Sequence, residues 1–231
     1  MWRLDPVPAP EPAVTRVLAP LDPTSAVEAT ATALARLLAA DVRHVDPRDL
    51  AAGVHDRDVV AAVVSAEPGG ALAPDGWERV AGGADRPVAV VPRLRRPPVT
   101  IDRVLVPLDG SPESAAAAAD TVGLCAAGGA DLVVLHVFDA RTVPRYWDQA
   151  AHARADWERE FLARWCAVPG ARLHLRSGVP GEHVADVARV EAADLIALGW
   201  SGTLAPGRAR TVRRTLAEAT VPVLLIPAGL R

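Results

Sequence analysis

Residues 193–227 read ADLIALGWSGTLAPGRARTVRRTLAEATVPVLLIP, and the order of residue types in this stretch decides the fold class. Leu195 to Leu198 is a nearly uninterrupted apolar run, Gly199 and Gly202 follow it, a helical pattern comes next, and Pro222 to Pro227 is a second apolar run. That order is strand, glycine turn, helix, strand. A strand buried on both faces reads as continuous apolar residues, and two such strands joined through a helix form a parallel crossover unit. The glycines fall where an open parallel sheet places its ligands, at the carboxyl end of a strand and the start of a helix. Glycine there lets backbone N–H groups approach an anion. A tight strand-to-helix turn explains the same two glycines without any ligand.

Working outward, the whole chain has 231 residues, room for one large α/β domain or two small ones of ~100 to 150 residues. Hydrophobic residues make up 50% and charged residues 23%, which excludes a disordered polyelectrolyte. A net charge of −3 gives no electrostatic footprint for nucleic acid. Lysine and asparagine are absent, so every basic side chain is arginine, as GC-rich coding produces. Cys125 and Cys166 fall in expected helices and match no metal or redox spacing, so both read as packed thiols. The start, MWRLDPVPAPEPAV, lacks a basic region followed by an apolar one, and no apolar run approaches ~18 residues. The expectation is a cytoplasmic protein with no membrane span.

The chain also repeats itself. RVLAPLD at 16–22 and RVLVPLD at 103–109 differ at one position in seven. Alanine-rich helical segments follow at 24–40 and 111–127, then strands carrying His-Val at 42–46 and 134–139. GALAP at 70–74 echoes GTLAP at 202–206, and RPVAVVP ending at Pro92 echoes VPVLLIP ending at Pro227. Matches in one order argue for duplication. The expected organisation is an N-terminal arm, 1–13; a degenerate first copy, 14–92; a proline- and arginine-rich linker, 93–100; and a complete second copy, 101–231. The second copy has room after its His-Val strand for a long helix from Tyr146 to Cys166, a strand from Ala171 to Ser177 and a helix from Glu182 to Ala192. The first copy lacks that room, so four strands are expected there against five.

PLDGS at 107–111, LHV at 135–137, ALGWSG at 197–202 and VPVLLIP at 221–227 resemble, in order, the recurring segments of the universal stress protein family. The resemblance implies two tandem open parallel-sheet, Rossmann-like α/β domains that form an intramolecular pseudo-dimer. Their last strands would meet edge to edge, Pro87 to Pro92 antiparallel to Pro222 to Pro227. It also implies stress-response binding of an ATP-like nucleotide, with Mg²⁺, without enzymatic turnover. Carried over by position, Pro107, Leu108 and Asp109 would face the nucleoside, Val137 would pack on the base, and Leu198, Gly199 and Gly202 would border the phosphates. The family's later Gly-Ser/Thr pair, nine residues after its second glycine, is missing. That count reaches Val212 and Arg213, while counting back from Pro222 reaches Ala209 and Arg210. Arg210 and Thr211 are the substitutes this chain offers in an altered phosphate loop, with Gly207 nearby.

Arg208, Arg210, Arg213 and Arg214 cluster at the start of the final helix, where the dipole favours an anion and guanidinium forks suit phosphate. A solvated helix face explains the same cluster. Trp200, inside the glycine turn, would stack on a base or close the mouth of the cleft. Asp22 and Asp109 end their first strands, and each would otherwise cap the next helix beside Thr24 or Ser111. His44 and His136 read as satisfied strand histidines with no third metal ligand. Trp157, Phe161 and Trp165, at i, i+4 and i+8, read as core, with a partner surface as the other reading. The alternative function is an ATP-independent scaffold acting by protein association. A homodimer and a protein partner are both compatible with it.

Overall fold

The apolar runs fold into parallel strands because each is buried on both faces between helices. The computed structural model describes residues 14–21, 23–66, 76–94, 97–138, 151–203 and 209–227. The arm, Asp22, the 70–74 repeat, the expected first turn of the long helix at Tyr146, Gly207 and Arg208 lie outside the described residues.

The amino-terminal half supplies β1 (Arg16–Pro20), α1 (Ser25–Leu37), β2 (Asp41–Val45), α2 (Leu50–Gly53), β3 (Val59–Ser65), α3 (Gly76–Gly83) and β4 (Val88–Val91). The carboxy-terminal half supplies β5 (Arg103–Pro107), α4 (Pro112–Ala127), β6 (Asp131–Phe138), α5 (Ala151–Trp165), β7 (Arg172–Ser177), α6 (Pro180–Val190), β8 (Leu195–Trp200), α7 (Arg210–Glu218) and β9 (Val223–Pro227). Among the described residues the strands form one sheet in the order β2-β1-β3-β4-β9-β8-β5-β6-β7. The order β2-β1-β3-β4 therefore repeats as β6-β5-β8-β9, and β7 has no described counterpart. All neighbours are parallel except at the centre, where Val88, Ala89 and Val90 pair antiparallel with Leu225, Leu224 and Val223. This is the edge-to-edge seam that the resemblance implied. It removes two apolar edges that would invite association.

Helices cover both faces. Val27 and Leu34 of α1, Val122 and Cys125 of α4 and Phe161 of α5 share one core cluster with Val17, Val104 and Leu224. Leu50 of α2, Val80 of α3, Val184 of α6 and Val212 of α7 share the other with Leu18, Leu105 and Leu225. Each cluster crosses the seam, and each buried Val or Leu contributes about 1.5–3 kcal/mol. Cys166 sits one residue beyond α5 rather than inside a helix, because α5 stops at Trp165. No described helix is long and apolar enough to cross a membrane.

Candidate functional site

In the carboxy-terminal half β5 lies between β6 and β8, so the chain leaves β5 in one direction and returns on its other side. A crevice opens at such a switch point, outside the carboxyl ends of the strands. Two turns border it, one after β5 and one after β8.

The first turn is Leu108 to Ser111. Pro107 ends β5, and Leu108 is buried, its N–H donating to the Leu135 carbonyl at 2.9 Å. Asp109 is exposed, and its Oδ1 accepts from the Ser111 amide at 2.9 Å. The Ser111 hydroxyl oxygen accepts from the Ser114 amide at 3.1 Å and starts α4, with Pro112 in the first turn. Asp109 thus shapes its own turn and stays exposed at the carboxyl end of β5. Beneath it His136 is buried, its Nδ1–H donating to the Leu108 carbonyl at 2.9 Å. Burial holds the imidazole below the ordinary histidine range, against the raising effects of that hydrogen bond and of the Asp109 charge.

Sequence reasoning missed the wall behind this turn. Phe161 packs 4.6 Å from the His136 ring and 5.0 Å from Trp157, and Phe138 lies 4.8 Å from His136. Phe161 Cε2 stands 3.3 Å from where a Gly110 side chain would begin. Phe161 of the α5 stripe is therefore core, and Trp157 and Trp165 are half-buried against the same cluster. The i, i+4 spacing showed a packing face, but only the fold shows that this face backs the Asp109 turn.

Val137 is half-buried and joins the cluster under α6 and α7, on the face shared by Leu198. Leu198 is 5% exposed and serves as framework.

The two glycines of the second turn differ in kind. Gly202 has φ +78 and meets the Gly82 backbone, so the fold itself requires glycine there. Gly199 is exposed, and among the described residues a side chain there would meet nothing within 4 Å. Trp200, between them, points away from the crevice. It is 2% exposed, its Nε1–H donates to the Ala81 carbonyl at 2.9 Å, and its ring lies 6.2 Å from Trp77. Neither the base-stacking nor the lid expectation holds. The alternation of strand β8 sends Leu198 and Trp200 to one face and Gly199 to the other.

Helix α7 begins at Arg210, and its N-cap, Ala209, is left-handed at φ 52, ψ 29 with no side-chain cap. Of the four arginines, Arg214 is bound to Glu182 at 3.0 Å and Glu218 at 2.9 Å, and Arg213 is also engaged. Arg210 is exposed at the first position of the helix. Thr211 lies where α7 crosses α6, its Cα 3.2 Å from the place a Gly181 side chain would take. Among the described residues of the cluster, Arg213 and Arg214 are engaged and Arg210 stands exposed at the helix start. Among the described residues no group of three or more His, Cys, Asp or Glu is placed to hold a metal.

Comparison with known proteins bears on this geometry. The model of the "Universal stress protein family" matches residues 100–227. A protein of Thermus aquaticus described as a universal stress protein in the QAH/OAS sulfhydrylase 3′ region is 31% identical over 134 residues, which cover 53% of this chain and 96% of the relative. Two solved structures share the fold over most of this chain. A universal stress protein of Archaeoglobus fulgidus DSM 4304 aligns with TM-score 0.54 and 19% identity, covering 82% of this chain and 67% of its own. A functionally unknown protein of Pseudomonas aeruginosa PAO1 aligns with TM-score 0.57 and 18% identity, covering 93% of this chain and 82% of its own.

Proposed function

The chain belongs to the universal stress protein family, and from that premise we propose that it is a non-enzymatic nucleotide sensor. Its ligand cleft is the crevice between the Asp109 and Gly199 turns, and its phosphate loop is shortened. Residues 14–92, joined through 93–100, act as a built-in dimer partner for the nucleotide-binding copy at 101–231.

The observation that carries this reading is Gly199. Its backbone asks for no glycine, and among the described residues nothing stands within 4 Å of where its side chain would begin, which leaves a ligand room to approach the backbone there. Ala209 supports it. Of the two registers the sequence allowed, helix α7 favours the one that puts Ala209 and Arg210 in place of the family's Gly-Ser/Thr pair. At that position Ala209 takes the left-handed conformation a glycine would take. The free N–H groups at the start of α7 and the Arg210 guanidinium replace the hydroxyl contact. The scaffold alternative loses the centre of one of its surfaces, since Phe161 is packed in the core, with Trp157 and Trp165 half-buried against it.

The test is calorimetric titration of the purified protein with Mg²⁺-ATP and, separately, AMP. One-to-one binding, abolished by Gly199→Val and weakened about tenfold by Arg210→Ala, is expected. A Cβ at 199 would meet nothing within 4 Å among the described residues, and a urea midpoint of Gly199→Val equal to the parent's shows that its effect reads ligand space rather than misfolding. No heat with millimolar nucleotide would remove this reading in favour of the scaffold.

A further inference from the structure

His44, His55 and His174 each meet a carboxylate, Glu28 at 2.8 Å, Asp85 at 3.0 Å and Glu191 at 2.6 Å. His136 meets a neutral group instead. Its Nδ1–H donates to the Leu108 carbonyl, which fixes the tautomer and leaves Nε2 as the atom that can take a proton. The residue is 7% exposed, and its ring stands among three others, Phe161 at 4.6 Å, Phe138 at 4.8 Å and Trp157 at 5.7 Å.

The same ring is a floor for the turn after β5. Gly110 has φ +80, and a side chain there would begin 3.6 Å from His136 Cε1 and 3.3 Å from Phe161 Cε2, so the turn lies directly on the two rings. Asp109 is therefore supported on both sides. Leu108 before it is tied to Nδ1, and Gly110 after it rests on Cε1.

Among the described residues Asp109 is the one charge that acts on the imidazole. Strand β6 presents Phe138 to it, α5 presents Trp157 and Phe161, and β7 brings Leu175 into register with it. Helix α4 adds Ala118 and Val122 to the core on that face. A proton on Nε2 would thus place a cation among apolar groups, with one exposed carboxylate to offset it. Burial outweighs that attraction. The cation is relieved by turning toward water, which breaks the bond to Leu108 and withdraws the ring from under Gly110.

We propose that His136 is the positioning residue of the Asp109 turn: its neutral imidazole holds the turn in the shape that receives a ligand, and its protonation releases the turn. The ring acts through Leu108 and Gly110. This rests on the reading of the crevice as the ligand cleft and adds a regulation to it, loss of ligand at mildly acidic pH.

The test has two readouts. In the ligand-free full-length protein, amide exchange of Leu108 and Ser111, divided by that of Leu105 in β5, should rise about threefold or more between about pH 7.5 and about pH 5.5. An unchanged ratio overturns the proposal, whether or not a nucleotide binds. Calorimetry with AMP at the same two pH values gives the second readout. Affinity should fall about threefold or more further in the parent than in His136→Gln, whose amide still donates to Leu108 but takes up no proton. The phosphate of AMP titrates in that window against both proteins, so its effect cancels. Equal falls overturn the proposal. A pH-dependent exchange ratio with no AMP heat at either pH would sink the nucleotide reading and leave the release of the turn by His136 standing.

Discussion

Gly82 and Gly202 bring the two halves into backbone contact: a methyl on Gly82 would stand 3.2 Å from the Gly202 carbonyl oxygen, and one on Gly202 3.3 Å from that of Gly82. The glycine turn after β8 is thereby braced against the end of α3. Gly202 carries a second constraint, its positive φ, which costs an L-residue about 1–2 kcal/mol. Gly202→Ala should therefore lower stability by ~1 kcal/mol or more beyond Gly82→Ala. Urea unfolding of both variants decides it, and equal losses would mean that the contact alone matters.

Trp200 fastens the same junction. Trp200→Phe keeps most of the buried ring but leaves the Ala81 carbonyl without its donor. A loss of about 1–3 kcal/mol is expected. A change of only a few tenths would show that water takes over the hydrogen bond.

Ala209 offers the opposite sign. Its left-handed conformation costs alanine about 1–2 kcal/mol, while glycine adds roughly 0.5–1 kcal/mol of unfolded-state entropy. Ala209→Gly should raise stability by roughly 0.5–1 kcal/mol, the difference of those terms. A thermal midpoint below that of the parent would contradict it.

His136 makes stability depend on pH. Burial depresses its folded pKa, so as pH falls through the ordinary histidine range the unfolded chain takes up a proton that the folded chain refuses. This contribution is fully present above that range and is lost as pH falls into and below it. The His136 imidazole resonances should titrate at lower pH than those of free histidine. A titration at or above the free value would place the ring in contact with solvent.

Burial pushes the Cys125 thiol up to about 11 and raises that of Cys166 as well. Neither should react with a thiol reagent in the native protein at neutral pH, and both should react in denaturant. Rapid native labelling of Cys125 would mean that α4 opens.

The strands were legible because β5, β6, β8 and β9 are apolar runs of the right length, and the repeat fixed their order in both halves. The Asp109 and Gly199 turns were legible from their places at strand ends. Trp200 was not, because its direction depends on where β8 ends: had the strand stopped at Gly199, the ring would have belonged to the turn. The division of labour between Gly199 and Gly202 was hidden for a related reason. It depends on Gly82, more than a hundred residues away in the chain. The cavity of about 750 Å³ over the seam was equally invisible, since its walls are drawn from five segments of both halves that the antiparallel pairing of β4 and β9 brings together.

That pairing also changes the order of the assembly reaction. Between separate chains, an edge-to-edge joint forms in proportion to protein concentration and dissolves on dilution. Here both strands belong to one polypeptide, so each meets the other at the effective concentration set by the chain between them. The joint is thus insensitive to how much protein is present, and its unfolding midpoint should stay fixed upon dilution.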